Sequence, residues 1–496
     1  KYVSKNSKCK GLTYSEIKIS GKQGISLPST SSVSRSTSIT IPYIIDCGET
    51  TQNGLSNIKN YTQLANQETI NKTSGVTSIN SVCSNTNKFT TIDFNNYKKL
   101  TSAQNAFYQN TTITTVNMPD TYNLENGNSM FKGCTNLTTF TIPSLQKLQD
   151  GSYMFYNCRK LSFDTIPVTE GFPELTNAQM MFQTCTSLTT IDLKNTNKLV
   201  DASDMFNGCS ALTEVKNLNN CTALENFSNA LFGTSITSID LSGLSALKNM
   251  QSAFTNCTKL TTVTGLNNLA NCTLISSAFK GCTALTNLNN GQELLLPKVT
   301  NANDMFNGCT ALRQVNLNLP SITNLSSNAN GIFTGCTLTK ITITATNCTS
   351  ASNVFSGMSS LQTLYFNPGV NCTTYDNTLK GCTNLTYLKI NVEGYNSEGQ
   401  SKELSTATSS EKCLLYDCTE LTDLYFYGEI KQRMNFSKNK KLSPDSWRRI
   451  IYALHDYSGA SGGTTHTIVI PEEKYSSMTS EGFKQFGDKG WTVTRP

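Results

Sequence analysis

Eighteen cysteines and only two histidines, His455 and His466, are the residues of this 496-residue chain best suited to covalent or metal chemistry. Cysteines at this density could form a disulfide framework. Zinc is disfavoured, because two histidines are few and no Cys-x-x-Cys pair is present to begin a site. Asn-Cys-Thr recurs at 220–222, 256–258, 271–273, 347–349 and 371–373, a triplet that would accept a glycan in a eukaryotic secretory pathway. No Gly-x-Ser-x-Gly elbow, phosphate-binding loop or His-Glu-x-x-His is present, and the acidic residues form no repeated calcium pattern. The chain is therefore read as non-enzymatic, with no cofactor and no metal.

The cysteines keep a fixed spacing to other residues. Phe131-Lys-Gly-Cys134-Thr-Asn-Leu137, Phe182-Gln-Thr-Cys185-Thr-Ser-Leu188 and Phe306-Asn-Gly-Cys309-Thr-Ala-Leu312 are copies of one motif. Its anchors are read as Phe107, Phe131, Phe155, Phe182, Phe206, Phe232, Phe254, Phe279, Phe306, Phe333 and Phe355, then Leu379 and Leu415. A degenerate first copy lies around Cys83, Phe89 and Phe94. One such unit cannot bury its own apolar face, so the units must stack into a solenoid. Met358 takes the place of a motif Cys, and Cys272, Cys348 and Cys372 take places held elsewhere by Leu100, Leu148 and Leu199. A residue that trades with Met and Leu behaves as a small buried apolar group. The column is thus expected to be a ladder of free, inert thiols, and the Asn-Cys-Thr triplets part of the repeat template, with little room for a glycan.

The elements that carry these residues follow from periodicity. Alternating runs such as Ile191-Asp-Leu193, Val315-Asn-Leu317, Leu364-Tyr-Phe366 and Leu388-Lys-Ile390 predict short strands with one buried face. With the preceding Leu they spell the Leu-x-x-Ile-x-Leu of a leucine-rich repeat. Apolar or small residues fall seven, four and one before the anchor, as in Leu199, Ala202 and Met205, which predicts a turn or two of helix. Residues 1–78 lack the motif and read as a β-rich cap or attachment region, with strand-like runs at 14–19 and 38–45. Residues 79–427 form the solenoid, and 428–496 a C-terminal cap. In that cap, Ser443 followed by Pro444 predicts a helix start. A Gly-rich break at 459–463, a strand from His466, a short helix over 480–486 and a strand at 491–494 complete it, with Trp447 and Trp491 in its core.

Charge adds little. The net charge is +6, only 15% of residues are charged, and the cluster Lys438, Lys440, Lys441, Arg448 and Arg449 is read as a solvated surface, so no nucleic-acid partner is expected. No stretch is long and apolar enough to span a membrane. The chain opens on Lys1, not Met, and is read as processed or truncated, with a secretion signal, propeptide or anchoring domain upstream.

The aromatic-x-x-Cys-Thr-x-Leu-Thr-x-Ile columns resemble the BspA-like leucine-rich repeat surface proteins over about residues 79–427. Ile142-Pro143 and Ile166-Pro167 are similar to the family's strand Ile-Pro pairs, and Gly490-Trp491-Thr-Val-Thr494 resembles the closing unit of such proteins from gut bacteria and their phages. The resemblance implies an α/β solenoid, a right-handed coil of about 13–14 repeats with caps at both ends. It also implies a surface-exposed protein that adheres to host or neighbouring-cell proteins or glycans, extracellular or on a phage virion. A spacer or decoration subunit that binds only other subunits of a fibre or virion is the alternative. The family supplies no fixed binding motif.

A binding face must then come from the outward strand residues. Those of most copies are small or polar: Thr190, Asp192, Glu214, Lys216, Thr262, Thr264, Gln314 and Asn316. Toward the end they become Tyr365, Tyr387, Lys389, Tyr425 and Tyr427. Adjacent strands lie ~4.8 Å apart, so these five are expected to form one strip on the sheet face, suited to protein or sugar.

Overall fold

The alternating runs fold as short parallel strands in this computed structural model, which describes residues 38–40 and 77–496 apart from 82–83, 86, 88–89, 94–96, 163–170, 326–330, 394–413, 432 and 460–465. The expected strand at 14–19, the residues Cys83, Phe89 and Phe94, and Ile166-Pro167 lie outside the described residues. The chain divides into two units, residues 1–249 with 253–257, and 250–252 with 258–496.

In the first unit, β1 (Ser38–Thr40), β2 (Thr91–Asp93), β3 (Thr115–Asn117) and β4 (Thr139–Thr141) pair in parallel, with Ile92, Val116 and Phe140 in register. β5 (Thr190–Asp192) pairs β6 (Glu214–Lys216) through Ile191 and Val215, and β7 (Ser238–Asp240) follows. Each is three residues long, and β3 to β7 each have a buried centre and outward-facing flanks.

In the second unit, β8 (Thr262–Thr264) pairs β9 (Asn287–Leu288). A six-stranded parallel sheet then runs through β10 (Leu294–Leu295), β11 (Gln314–Asn318), β12 (Lys340–Thr344), β13 (Thr363–Asn367), β14 (Tyr387–Asn391) and β15 (Asp423–Tyr427). Val315, Ile341, Leu364, Leu388 and Leu424 form one in-register inward row, and Leu317, Ile343, Phe366, Ile390 and Phe426 a second. β16 (Met434–Asn435), β17 (His466–Val469) and β18 (Trp491–Thr494) form a closing parallel sheet. Helices α1 (Pro444–Ala453), α2 (Glu472–Ser476) and α3 (Ser480–Gly487) accompany it. The Ser443 hydroxyl caps α1 by accepting from the Ser446 amide at 3.2 Å, and Trp447 and Trp491 are buried, as expected of a cap core.

The anchors stack inside. Phe107, Phe131, Phe155, Phe182 and Phe206 follow one another at 5.1–5.8 Å with nearly parallel rings in the first unit. Phe279, Phe306, Phe333 and Phe355 do so at 5.6–6.3 Å in the second. One assignment is corrected: Leu231, not Phe232, holds the anchor place. Leu231 is fully buried, Phe232 is half-exposed, and the thiol of the next copy, Cys257, bonds Leu231 O at 3.0 Å.

Among the described residues, the predicted helical turns before the anchors do not form either. Around Phe206, alternate amides (Ala202, Asp204, Phe206 and Gly208) donate to carbonyls of the next repeat at 2.8–2.9 Å, while Met205, Asn207 and Cys209 close local four-residue turns. The cause is backbone handedness. Residues two before and two after most anchors are left-handed, as in Asp204 (φ 55°) and Gly208 (φ 74°), or Asp304 (φ 57°) and Gly308 (φ 77°). A right-handed helix cannot pass through them, and Asn, Asp and Gly adopt that conformation at least cost.

The thiols also need correction. The described cysteines are free, and all but the half-exposed Cys336 are buried, but they are not mere hydrocarbon. Cys134 donates to Phe107 O at 3.1 Å, Cys185 to Phe155 O at 3.0 Å, Cys309 to Phe279 O at 3.1 Å and Cys382 to Phe355 O at 3.2 Å. Each is a second donor to the anchor carbonyl of the preceding repeat, which also accepts from the amide three residues on. Where Asn439 follows Phe436 by three residues, its amide serves the same purpose, donating to Leu415 O at 3.0 Å.

Candidate ligand-binding face

Five-residue strands present three outward rows on the sheet β11–β15. One row reads Gln314, Lys340, Thr363, Tyr387 and Asp423. The next reads Asn316, Thr342, Tyr365, Lys389 and Tyr425, and the third ends in Asn367, Asn391 and Tyr427. The five expected residues therefore share one face, but not one line. Tyr387 sits one row off and touches both neighbours diagonally, its ring 5.2 Å from Tyr365 and 5.3 Å from Tyr425. Lys389 lies in register between Tyr365 and Tyr425, with its ammonium 4.5 Å from the Tyr427 ring. Tyr427 is the most open of the set at 46% exposure. In the third row the Asn391 amide donates to Asn367 Oδ1 at 3.0 Å.

The Tyr387 hydroxyl stays neutral well into alkaline pH. Partial desolvation pushes the Tyr387 hydroxyl up, and so do its hydrogen bond with Tyr365 and the nearby Tyr425, against a smaller opposing pull from Arg449. What the tyrosines offer is flat apolar area with a hydroxyl rim, not charge.

Sequence reading missed two features. Arg449, assigned to a solvated basic cluster, reaches from α1 to lie 3.8 Å over the Tyr425 ring, with its guanidinium 3.4 Å from Asp423 and its Nε donating to Leu424 O at 3.2 Å. It covers one end of the strip. Lys440, Lys441 and Arg448 stay exposed, as expected of a solvated surface, while pairing with Glu473 at 2.5 Å, Glu420 at 2.6 Å and Asp445. The second feature is a hollow of about 100 Å3 at the other end of the face, lined by Gln292, Gln314, Asn316, Lys340 and Thr342 over Leu288 and Val315. It forms where the chain turns through left-handed Asn290 and Gly291 between β9 and β10. Thr342 is in register with Tyr365, so hollow and strip are continuous. Lys340 gave no sequence signal beyond standing at a strand start.

The outward residues of the first unit differ. Thr190, Asp192, Glu214 and Lys216 offer no aromatic surface, and Glu214 pairs with Lys216 at 3.6 Å. Among the described residues, no group of three or more His, Cys, Asp or Glu could hold a metal ion, and no helix is long and apolar enough to cross a membrane.

The family model for the BspA type leucine rich repeat region (6 copies) matches residues 50–170, 176–296 and 297–400, well over half of the chain. The chain belongs to this family. Among solved structures, this BspA-type chain is similar to a leucine rich cell surface protein from Faecalibacterium prausnitzii A2-165, at 18% identity and a TM-score of 0.37, covering 84% of this chain and 91% of that one. It is also similar to a leucine-rich repeat protein from Bacteroides ovatus ATCC 8483, at 13% identity and a TM-score of 0.35, covering 85% and 88%. At such identities and scores neither likeness carries a function across. No curated protein matches the chain. BspA-type membership accounts for the parallel strands and stacked anchors and assigns no binding residue.

Proposed function

We propose that this chain is a non-catalytic recognition protein that acts at a cell surface and binds protein or glycan ligands through the outward face of β13–β15. The observation that carries the reading is the contact group Tyr365, Tyr387 and Tyr425, three rings within 5.3 Å of their neighbours on a solvent-facing sheet. Rigid aromatics with hydroxyl rims supply contact area at small entropic cost, which is why they dominate binding hot spots. Lys389 and Tyr427 extend the group by one row.

Adhesion of the intact chain to intestinal epithelial and bacterial cells, compared with a Tyr365→Ser/Tyr387→Ser/Tyr425→Ser variant, tests the proposal. Wild type should adhere and the variant should lose roughly tenfold or more in apparent affinity, with an unchanged melting profile. Undiminished adhesion by a folded variant would remove the strip. Association only with other copies, through residues 1–78, would favour a structural subunit of a fibre or virion instead.

A further inference from the structure

We infer that the hollow beside Tyr365 receives a carboxylated sugar residue, an assignment that rests on the recognition reading and narrows it to a ligand class. At about 100 Å3, the hollow is far below the roughly 300–1,000 Å3 of sites that engulf a drug-sized molecule. Only the edge of a small ring enters, and the rest must lie on the open sheet. The neighbouring open surface is Tyr365, one strand away and in register with Thr342. The opposite end of the tyrosine group is covered by Arg449 over Tyr425. A ligand on this face therefore extends from Tyr365 toward the hollow.

The lining defines the chemistry. Gln292, Gln314 and Asn316 supply three carboxamides and Thr342 a hydroxyl, each able to donate and accept. Lys340 is the one charged side chain, and no carboxylate pairs with it among the described residues. Asn316 Oδ1 is buried without a donor, so the lining holds an unused acceptor. Many hydroxyls to share among amides, one carboxylate for an ammonium and a C–H face for an aromatic ring describe a uronic or sialic acid. An acidic peptide would supply the carboxylate but leave the amides unmatched, and an unmatched polar group weakens binding.

Calorimetric titration of the full chain with 3′-sialyllactose, tri-galacturonate, lactose and a Glu-rich peptide tests this. One of the two acids should bind, with lactose and the peptide roughly tenfold or more weaker. Which acid binds separates a sialate from a uronate source. Lys340→Met should cost the acid roughly tenfold while Lys340→Arg, which keeps the charge, retains most of the affinity. Tyr365→Ser should weaken all sugars together. Equal binding of lactose, preference for the peptide, silence toward both acids, or an unaffected Lys340→Met variant would overturn the assignment. If the acids fail while cell adhesion still depends on Tyr365, this inference falls and the recognition reading stands. If both are lost, both fall.

Discussion

The strands β5 and β6 of the first unit and β11–β15 of the second are built on the same interior and present different exteriors. Inside, both regions carry stacked anchors, a thiol bonded to the previous anchor carbonyl, and left-handed residues two places to either side of the anchor. Outside, three-residue strands show Thr, Asp, Glu and Lys, whereas five-residue strands show amides, Lys389 and the contacting tyrosines. Stacking constrains the interior, because each repeat must satisfy the next. The exterior is free to vary, so recognition is sought where it departs from the polar default.

A shared interior should fail in the same way in both regions. Burial pushes Cys134 and Cys209 up to about 12, and Cys257 and Cys336 up to about 11, from an ordinary 9.0. Above pH 9 the unfolded chain loses these protons and the folded chain keeps them. Stability is therefore full below pH 9 and falls as pH rises toward 11–12, by about 1.4 kcal/mol per pH unit per thiol. Denaturant unfolding at pH 8, 9.5 and 10.5 should show a steep loss, made shallower in Cys134→Ser/Cys209→Ser. A flat profile would contradict the buried ladder.

Single donors come next in size. Cys185→Ala and Cys309→Ala each remove the second hydrogen bond to a buried anchor carbonyl, which keeps its backbone amide donor, and should cost about 0.5–1.5 kcal/mol, equally in the two regions, with Ser at either site recovering part of the loss. Unequal costs would show that the interiors are not equivalent. Smaller still, Tyr387→Ser removes two cross-strand ring contacts worth about 0.2–1 kcal/mol each, whereas Glu214→Ser on the plain face should stay within about 0.5 kcal/mol. Chemical denaturation measures both.

Much of this was legible in the sequence. Phe-x-x-Cys spacing gave the repeat and alternation gave the strands, because burial on one face imposes a period of two. The misreadings have physical causes. Leu231-Phe232 offers two adjacent apolar residues, and spacing alone cannot say which points inward. Inward residues at seven, four and one before the anchor suit a helix and a chain of mixed-handed turns equally well. The Gly column two after the anchor (Gly208, Gly308) and Asn, Asp or Ser two before it carried the missing information. The thiol's donor role was visible only in that Asn439, also a donor, stands in the same column. The hollow depends on how the chain between β9 and β10 turns, and Arg449 on where α1 docks. Neither has a local sequence signature.

Oxidative footprinting of the intact chain, free and bound to a cell to which it adheres, compares the two exteriors directly. The account predicts protection of Tyr365, Tyr387 and Tyr425 on binding, with the peptides of β5 and β6 labelled equally in both states. Protection confined to β5 and β6, or to residues 1–78, with the three tyrosines unchanged, would contradict it.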